Sequence, residues 1–245
     1  MTTDRAAAPN GARAQDFWLA NLSTADAYTR WILDEARPWL KGRVLEVGCG
    51  TGTYTVPMAA MVREVVAIDI DAAYVQSASQ RTADLTNVSV RQADVTDPGF
   101  DLGDSFDTIV LFDVLEHIEH DVALLRALLS RLRPGGHVVL KVPALKALHS
   151  PMDDAIGHWR RYDRASMTLA LSQAGFELAG LWAFNAFAVP GWWLNGRVLK
   201  RQTPPADQVR LFNRLIPVLR PLDRIFRRVI GLSYFAVGRR PIAED

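Results

Sequence analysis

The chain has 245 residues, 49% of them apolar and 22% charged, which suffices for one large domain, or a core domain with an elaborated cap. Its net charge of +1 argues against a dedicated nucleic-acid binder. A single cysteine, Cys49, excludes an internal disulfide and fits a reducing, cytoplasmic compartment.

Residues 1–15 are small and polar, lack the apolar run of a signal peptide, and read as a mobile tail. Residues 16–40 show helical apolar spacing at Phe17, Leu22, Ala25, Tyr28, Ile32 and Leu33. A β-favouring run at 44–47 meets a glycine cluster at once, and 55–62 resume a helical pattern. Further strands are expected at 64–70, 88–95, 106–114 and 137–144. Helices are expected at 72–83 and 121–132, with a turn at 133–136. Helix 164–175, strand 176–185 and a last strand at 232–240 complete the pattern. Strands alternating with helices imply βαβ units and a parallel sheet covered on both faces. The uncharged stretch 178–194 approaches membrane-spanning length, but Asn185, Pro190 and Gly191 interrupt it, so no span is expected. The connection before the last strand is too long to lack structure, and 188–230 reads as an inserted cap.

Gly48, Gly50 and Gly52 form G-x-G-x-G between the first strand and first helix, where a ligand can approach the backbone. This differs from the G-x-G-x-x-G of dinucleotide binders. Asp69 ends the second strand, where a carboxylate can accept from both ribose hydroxyls of a nucleoside. Glu46, just before the glycines, would repel a pyrophosphate but suits a ligand carrying an ammonium group.

With "VLEVGCGTG", "VVAIDID", "QADV", "FDTIVLFDVLEHIEH" and "LRPGGHVVLKVP" in that order, residues 40–145 resemble the class I S-adenosylmethionine (SAM)-dependent methyltransferases, of a bacterial small-molecule subgroup. The resemblance implies a doubly wound, seven-stranded Rossmann-like α/β sheet with an antiparallel last strand, a helical N-terminal cover and the cap before that strand, as one domain over 16–245. It implies SAM as cofactor and S-adenosylhomocysteine as product. Glu46, Gly48 and Gly50 would surround the methionine part, Asp69 the ribose, Ile70 the adenine, and Asp94 with Val95 the adenine amino group. Phe112 and Asp113 would lie along the cofactor.

Methyl transfer is an in-line displacement that needs positioning and, for a hydroxyl acceptor, a base. His117 is one candidate; the other set follows the fifth strand in "SPMDDAIGHWRRYDR", a substrate loop at 146–165. There His149 or His158 could act as base, and Arg161 or Tyr162 could anchor the acceptor. Asp163 is expected to cap the next helix. Asp113, Glu116 and His117 resemble the Glu-x-x-Glu-His of some metal-binding relatives, but the same run occurs in members without metal, and no metal site is assigned. The expected acceptor is a small or medium-sized, partly apolar metabolite, methylated on oxygen rather than nitrogen or carbon. The competing readings are a SAM-binding enzyme without methyl transfer (a pericyclase), a metal-dependent RNA 2′-O-methyltransferase, and a non-catalytic SAM-binding subunit.

Residues 209–230 are strongly amphipathic. Arg210, Arg214, Arg224 and Arg228 share one sector, opposite Leu211, Leu215, Leu219, Leu222, Phe226 and Val229, and Pro217 and Pro221 should kink or divide the helix. With the aromatic group Phe184, Phe187, Trp192 and Trp193, this reads as a substrate lid. The same pattern would suit peripheral contact with an anionic membrane.

Overall fold

Aliphatic and β-branched residues dominate the strand segments, and their side chains alternate between two buried faces. The computed structural model describes residues 14, 16–21, 25–97, 99–102 and 105–242. Apart from Ala14, the tail expected over 1–15 lies outside the described residues. In chain order the elements are α1 (Asp26–Ala36), β1 (Arg43–Val47), α2 (Thr55–Ala59), β2 (Glu64–Asp69), α3 (Ala72–Arg81), β3 (Val88–Gln92) and β4 (Phe106–Phe112). There follow α4 (Asp121–Arg131), β5 (Leu132–Pro143), α5 (Pro151–Ala155), α6 (Arg164–Ala174), β6 (Glu177–Phe184), α7 (Val189–Trp192), α8 (Ala206–Phe226) and β7 (Ser233–Arg239).

The seven strands form one sheet in the order β3-β2-β1-β4-β5-β7-β6. β1 to β5 run parallel, while β7 is antiparallel to both neighbours, wedged between β5 and β6. On one face Leu45, Ile109, Leu140 and Ala236 pack against Leu125 of α4 and Leu171 of α6. On the other, Val44, Val110, Val139 and Phe235 pack against Trp31 and Ile32 of α1 and Met58 of α2. This alternation is the period-2 geometry of strands buried on both sides. The strand order reverses at β1 and β4, which opens a crevice at their carboxyl ends.

Three local expectations change. The turn expected at 133–136 is a bulged start of β5: Leu132 pairs with Phe106 and His137 with Thr108, so the extra residues are absorbed between them. The bulge persists because Gly135 N donates to Arg240 O at 3.0 Å and Arg240 N to Gly136 O at 2.8 Å. The cover over 16–40 is divided, with 16–21 helical and α1 beginning at Asp26; residues 22–24 lie outside the described residues. Finally, Pro217 and Pro221 lie inside α8 without dividing it. Both are exposed, so their rings project away from the packed side of the helix.

Candidate functional site

The loop after β1 is built on left-handed glycines. Gly48, Gly50 and Gly52 have φ of 72°, 53° and 79°. A Cβ on Gly48 would stand 2.5 Å from a methyl of Val114, so only glycine fits without a shift. Gly48 N and Cys49 N both donate to Ile68 O, at 2.8 and 3.0 Å. Gly50 N donates to Asp69 Oδ2 at 2.8 Å and Asp71 N to Asp69 Oδ1 at 3.0 Å. Asp69 is thereby fixed by backbone donors while its carboxylate keeps lone pairs for a ligand.

This loop borders a cavity of about 530 Å³ at the crevice, and Gly48, Gly50, Asp69, Ile70, Asp94, Val95, Phe112 and Asp113 all line it. Ile70 is 65% exposed, as an apolar shelf at a binding-site rim would be. Asp94 accepts from Thr96 N and Thr96 Oγ1, which fixes its carboxylate. Glu46 is the exception. Its side chain is buried away from the cavity wall and accepts from Thr55 Oγ1 at 2.5 Å. Burial pushes its carboxyl up to about 8, against the Thr55 hydrogen bond and aided by the Asp69 charge. It ties β1 to the start of α2 through Thr55 and does not line the cavity. Burial likewise pushes the Cys49 thiol far up, which removes it as a nucleophile.

The acceptor side begins with Asp113, which follows β4 at φ 55°. Asp113 N donates to Lys141 O at 2.8 Å, and the Lys141 ammonium pairs with Asp113 Oδ2. Burial opposes the charge on Lys141, but Asp113 and the neighbouring hydroxyls of Tyr28 and Tyr54 outweigh it and hold the ammonium protonated. Asn185, also left-handed at φ 65°, closes β6; its N–H donates to Asp223 Oδ2 at 3.0 Å. Two non-glycine residues in this conformation at one crevice mark stored backbone strain.

The segment 150–164 folds back over this end as a clasp. Arg161 Nε donates to Asp153 Oδ1 at 2.7 Å and Arg161 Nη1 to Ala144 O at 2.8 Å, and its guanidinium lies 4.6 Å from the Trp192 ring centre. Ser150 and Asp153 form a capping box for α5. As expected, Asp163 caps α6, accepting from Ser166 N at 2.7 Å. Tyr162 corrects the sequence reading: its hydroxyl donates to Asp121 Oδ2 at 2.8 Å, and it does not line the cavity. His149 also lies off the cavity wall, 3.9 Å from Asp154. Arg161 lines the cavity and also holds the clasp, through one donor to Asp153 and one to Ala144.

His158 and His117 do line the cavity, their ring centres 4.8 Å apart. His158 Nδ1 lies 2.9 Å from Asp153 Oδ1. Burial opposes the charge on Asp153, but His158 and Arg161 hold its carboxyl below the ordinary range. An ionised Asp153 places the proton on Nδ1, which leaves Nε2, 3.7 Å from Glu116 Oε1, as the accepting ring atom. Burial, reinforced by His158, lowers His117 to about 4, so it is neutral at physiological pH. Glu116 is fully buried and neither carboxyl oxygen has a hydrogen-bond partner. Burial and the Asp113 charge push its pKa well up. Among the described residues, Glu116, His117 and His158 bring candidate ligand atoms within 4.8 Å of one another.

Beyond this polar end the wall is apolar, from Met152, Ile156, Phe187, Trp192, Phe212 and Ile216. The sequence reading missed Lys141 and Tyr28. A lysine inside the apolar strand "HVVLKVPA" was the available signal, since a buried lysine requires a partner. Tyr28 carried no such signal, because its helical spacing alone marks it as core.

Known proteins resemble the chain in sequence and in fold. A ubiquinone biosynthesis O-methyltransferase of Xanthomonas euvesicatoria pv. vesicatoria (strain 85-10) is 36% identical over 111 residues, covering 43% of this chain and 46% of that protein. The chain thus spans about half the length of the curated relatives it matches. An S-adenosylmethionine-dependent methyltransferase from Mesorhizobium loti shares the fold at TM-score 0.61 and 19% identity, over 88% of this chain and 100% of that one. The [4+2]-cyclase SpnF shares it at TM-score 0.55 and 18% identity, over 82% and 76%. Residues 19–180 match the family described as "Methyltransferase domain", and the chain belongs to that family.

Proposed function

We propose that the chain binds SAM on the glycine loop and transfers its methyl group to a hydroxyl of a small or medium-sized, partly apolar metabolite. The observation that carries this reading is His158, which is held by Asp153 behind it and lines the same cavity as Gly48, Gly50 and Asp69. The loop fits the cofactor, because its left-handed glycines clear the space and Asp69 offers anchored acceptors for ribose hydroxyls. SAM supplies a methyl carbon activated by the sulfonium charge. Asp153 orients His158, whose Nε2 accepts the proton from the acceptor hydroxyl as the methyl transfers. Neutral His117 supplies a second polar contact. The Asp113–Lys141 pair holds the strand ends at fixed spacing, and the apolar wall receives the rest of the acceptor. The relative named as a ubiquinone biosynthesis O-methyltransferase supports an oxygen acceptor. The likeness to a cyclase shows that the fold does not decide between the two chemistries, so the Asp153-oriented His158 in the cavity carries the choice.

A second reading rests on Glu116, whose carboxyl oxygens have no hydrogen-bond partner and one of which lies 3.7 Å from His158 Nε2. Glu116, His117 and His158 would hold a divalent ion, which would lower the acceptor hydroxyl's pKa in place of a base.

Isothermal titration with SAM and S-adenosylhomocysteine, followed by labelled-methyl transfer into metabolite extract, tests the reading. Micromolar cofactor binding with a labelled product is expected; absent binding overturns it. His158→Asn should lower turnover roughly 100-fold or more with cofactor affinity unchanged. Activity that survives EDTA supports the base reading, whereas loss restored by magnesium or zinc replaces it with the metal reading.

A further inference from the structure

The most apolar side of α8 points into solvent. Leu211, Leu215, Val218, Leu222 and Ile225 recur at alternating four- and three-residue steps, the spacing that lines up one side of a helix. All five are exposed, Val218 to 64% and Ile225 to 73%, and Val229 in the following turn continues the line at 76%. Beside them, Trp193, Leu194 and Val198 are exposed on the π-helical turn Trp193–Val198. That turn is tied to α8 by Asn195 Nδ2 donating to Gln208 Oε1 at 2.9 Å.

The helix is held by its other side. Ile216 and Asp223 are buried there; Arg220 pairs with Asp34 and Arg227 with Glu35. Val209, Phe212 and Ile216 on this side line the cavity. Around the outward stripe the charge is nearly of one sign. Arg210, Arg214, Arg224 and Arg228 are exposed, against one exposed acid, Asp207, in the first turn. A second copy seated on this face would set arginine against arginine, whereas a lipid surface bearing phosphates would complement it. Among the described residues no helix is long and apolar enough to cross a membrane.

We propose that α8 seats the protein on an anionic bilayer, its leucine–valine–isoleucine stripe in the headgroup–acyl boundary and its arginines against lipid phosphates. An acceptor dissolved in that bilayer then passes under α8 into the cavity; this second clause rests on the methyl-transfer reading above.

Co-sedimentation of the full chain with phosphatidylcholine vesicles, with and without phosphatidylglycerol, tests the seat. Binding is expected only with phosphatidylglycerol and should weaken as salt rises. Val218→Asp with Ile225→Asp should abolish it. Arg210→Gln and Arg214→Gln should each weaken it about fivefold. These positions are exposed, and unchanged SAM affinity and Tm would establish that the variants fold. Failure to bind phosphatidylglycerol vesicles, binding unaffected by the aspartates, or a dimer that the aspartates dissociate would each overturn the inference. Cofactor titration separates the two readings: vesicle binding can fail while SAM binding stands, and the reverse.

Discussion

Glu46 illustrates how much a residue's meaning depends on where its side chain turns. Its position beside the glycines suits a ligand contact, yet the carboxyl lies under the loop with Thr55 as its hydrogen-bond partner. Its pKa is raised from an ordinary 4.5 to about 8, mainly by burial. The folded state therefore holds a proton across this window that the unfolded chain has released. The associated stability is fully present below about pH 4.5 and is lost as pH rises through about 8. Glu46→Gln keeps an acceptor for Thr55 without an ionisable group. Its Tm should be flatter from pH 5 to 9, exceeding that of the parent at the alkaline end by differential scanning fluorimetry. An unchanged slope would place the titration elsewhere. His117 has the opposite sign: lowered to about 4, it favours the folded state above its unfolded value and withdraws that stability as pH falls through 4.

Among the elements, the clasp from Ser150 to Arg164 combines binding and packing in one stretch. Its composition reads as a cluster of catalytic candidates, but only part of it faces the cavity. His158 does; Tyr162, 2% exposed, instead ties the clasp to α4 through Asp121, and its backbone N–H donates to Pro143 O at 2.8 Å. Tyr162→Phe removes one buried hydrogen bond to a carboxylate, at a cost of about 1–3 kcal/mol. The expected result is a lower denaturation midpoint with turnover per folded molecule unchanged. A fall in turnover at constant stability would return Tyr162 to the chemistry. In α8 the periodicity named the apolar side correctly, but that side faces out, because Asp223, Arg220 and Arg227 anchor the helix by its polar edge.

For the whole molecule, the decisive element is β7, which reaches the sheet after the cap and fills the gap between β5 and β6. Tyr234 to Val237 are buried, and Phe235 stacks on Trp182 with ring centres 5.5 Å apart. A chain ending before Leu232 would leave β6 without a partner and both faces open. It should lose its cooperative thermal transition; a truncated chain that still unfolded cooperatively would show that β7 is dispensable. The alternation of strands and helices, the glycine loop and Asp69 were legible in the sequence, because period, spacing and backbone conformation are local properties. The antiparallel last strand beside the sixth was expected, but not its insertion against β5. Other features depended on contacts between residues far apart in the chain: the inward turn of Glu46, the burial of Lys141 against Asp113, the choice of His158 over His149, and the outward side of α8. Sequence alone determined which backbone could form a nucleoside-binding crevice. Only the tertiary structure decided which side chains face it, since burial and charge pairing are properties of the packed molecule.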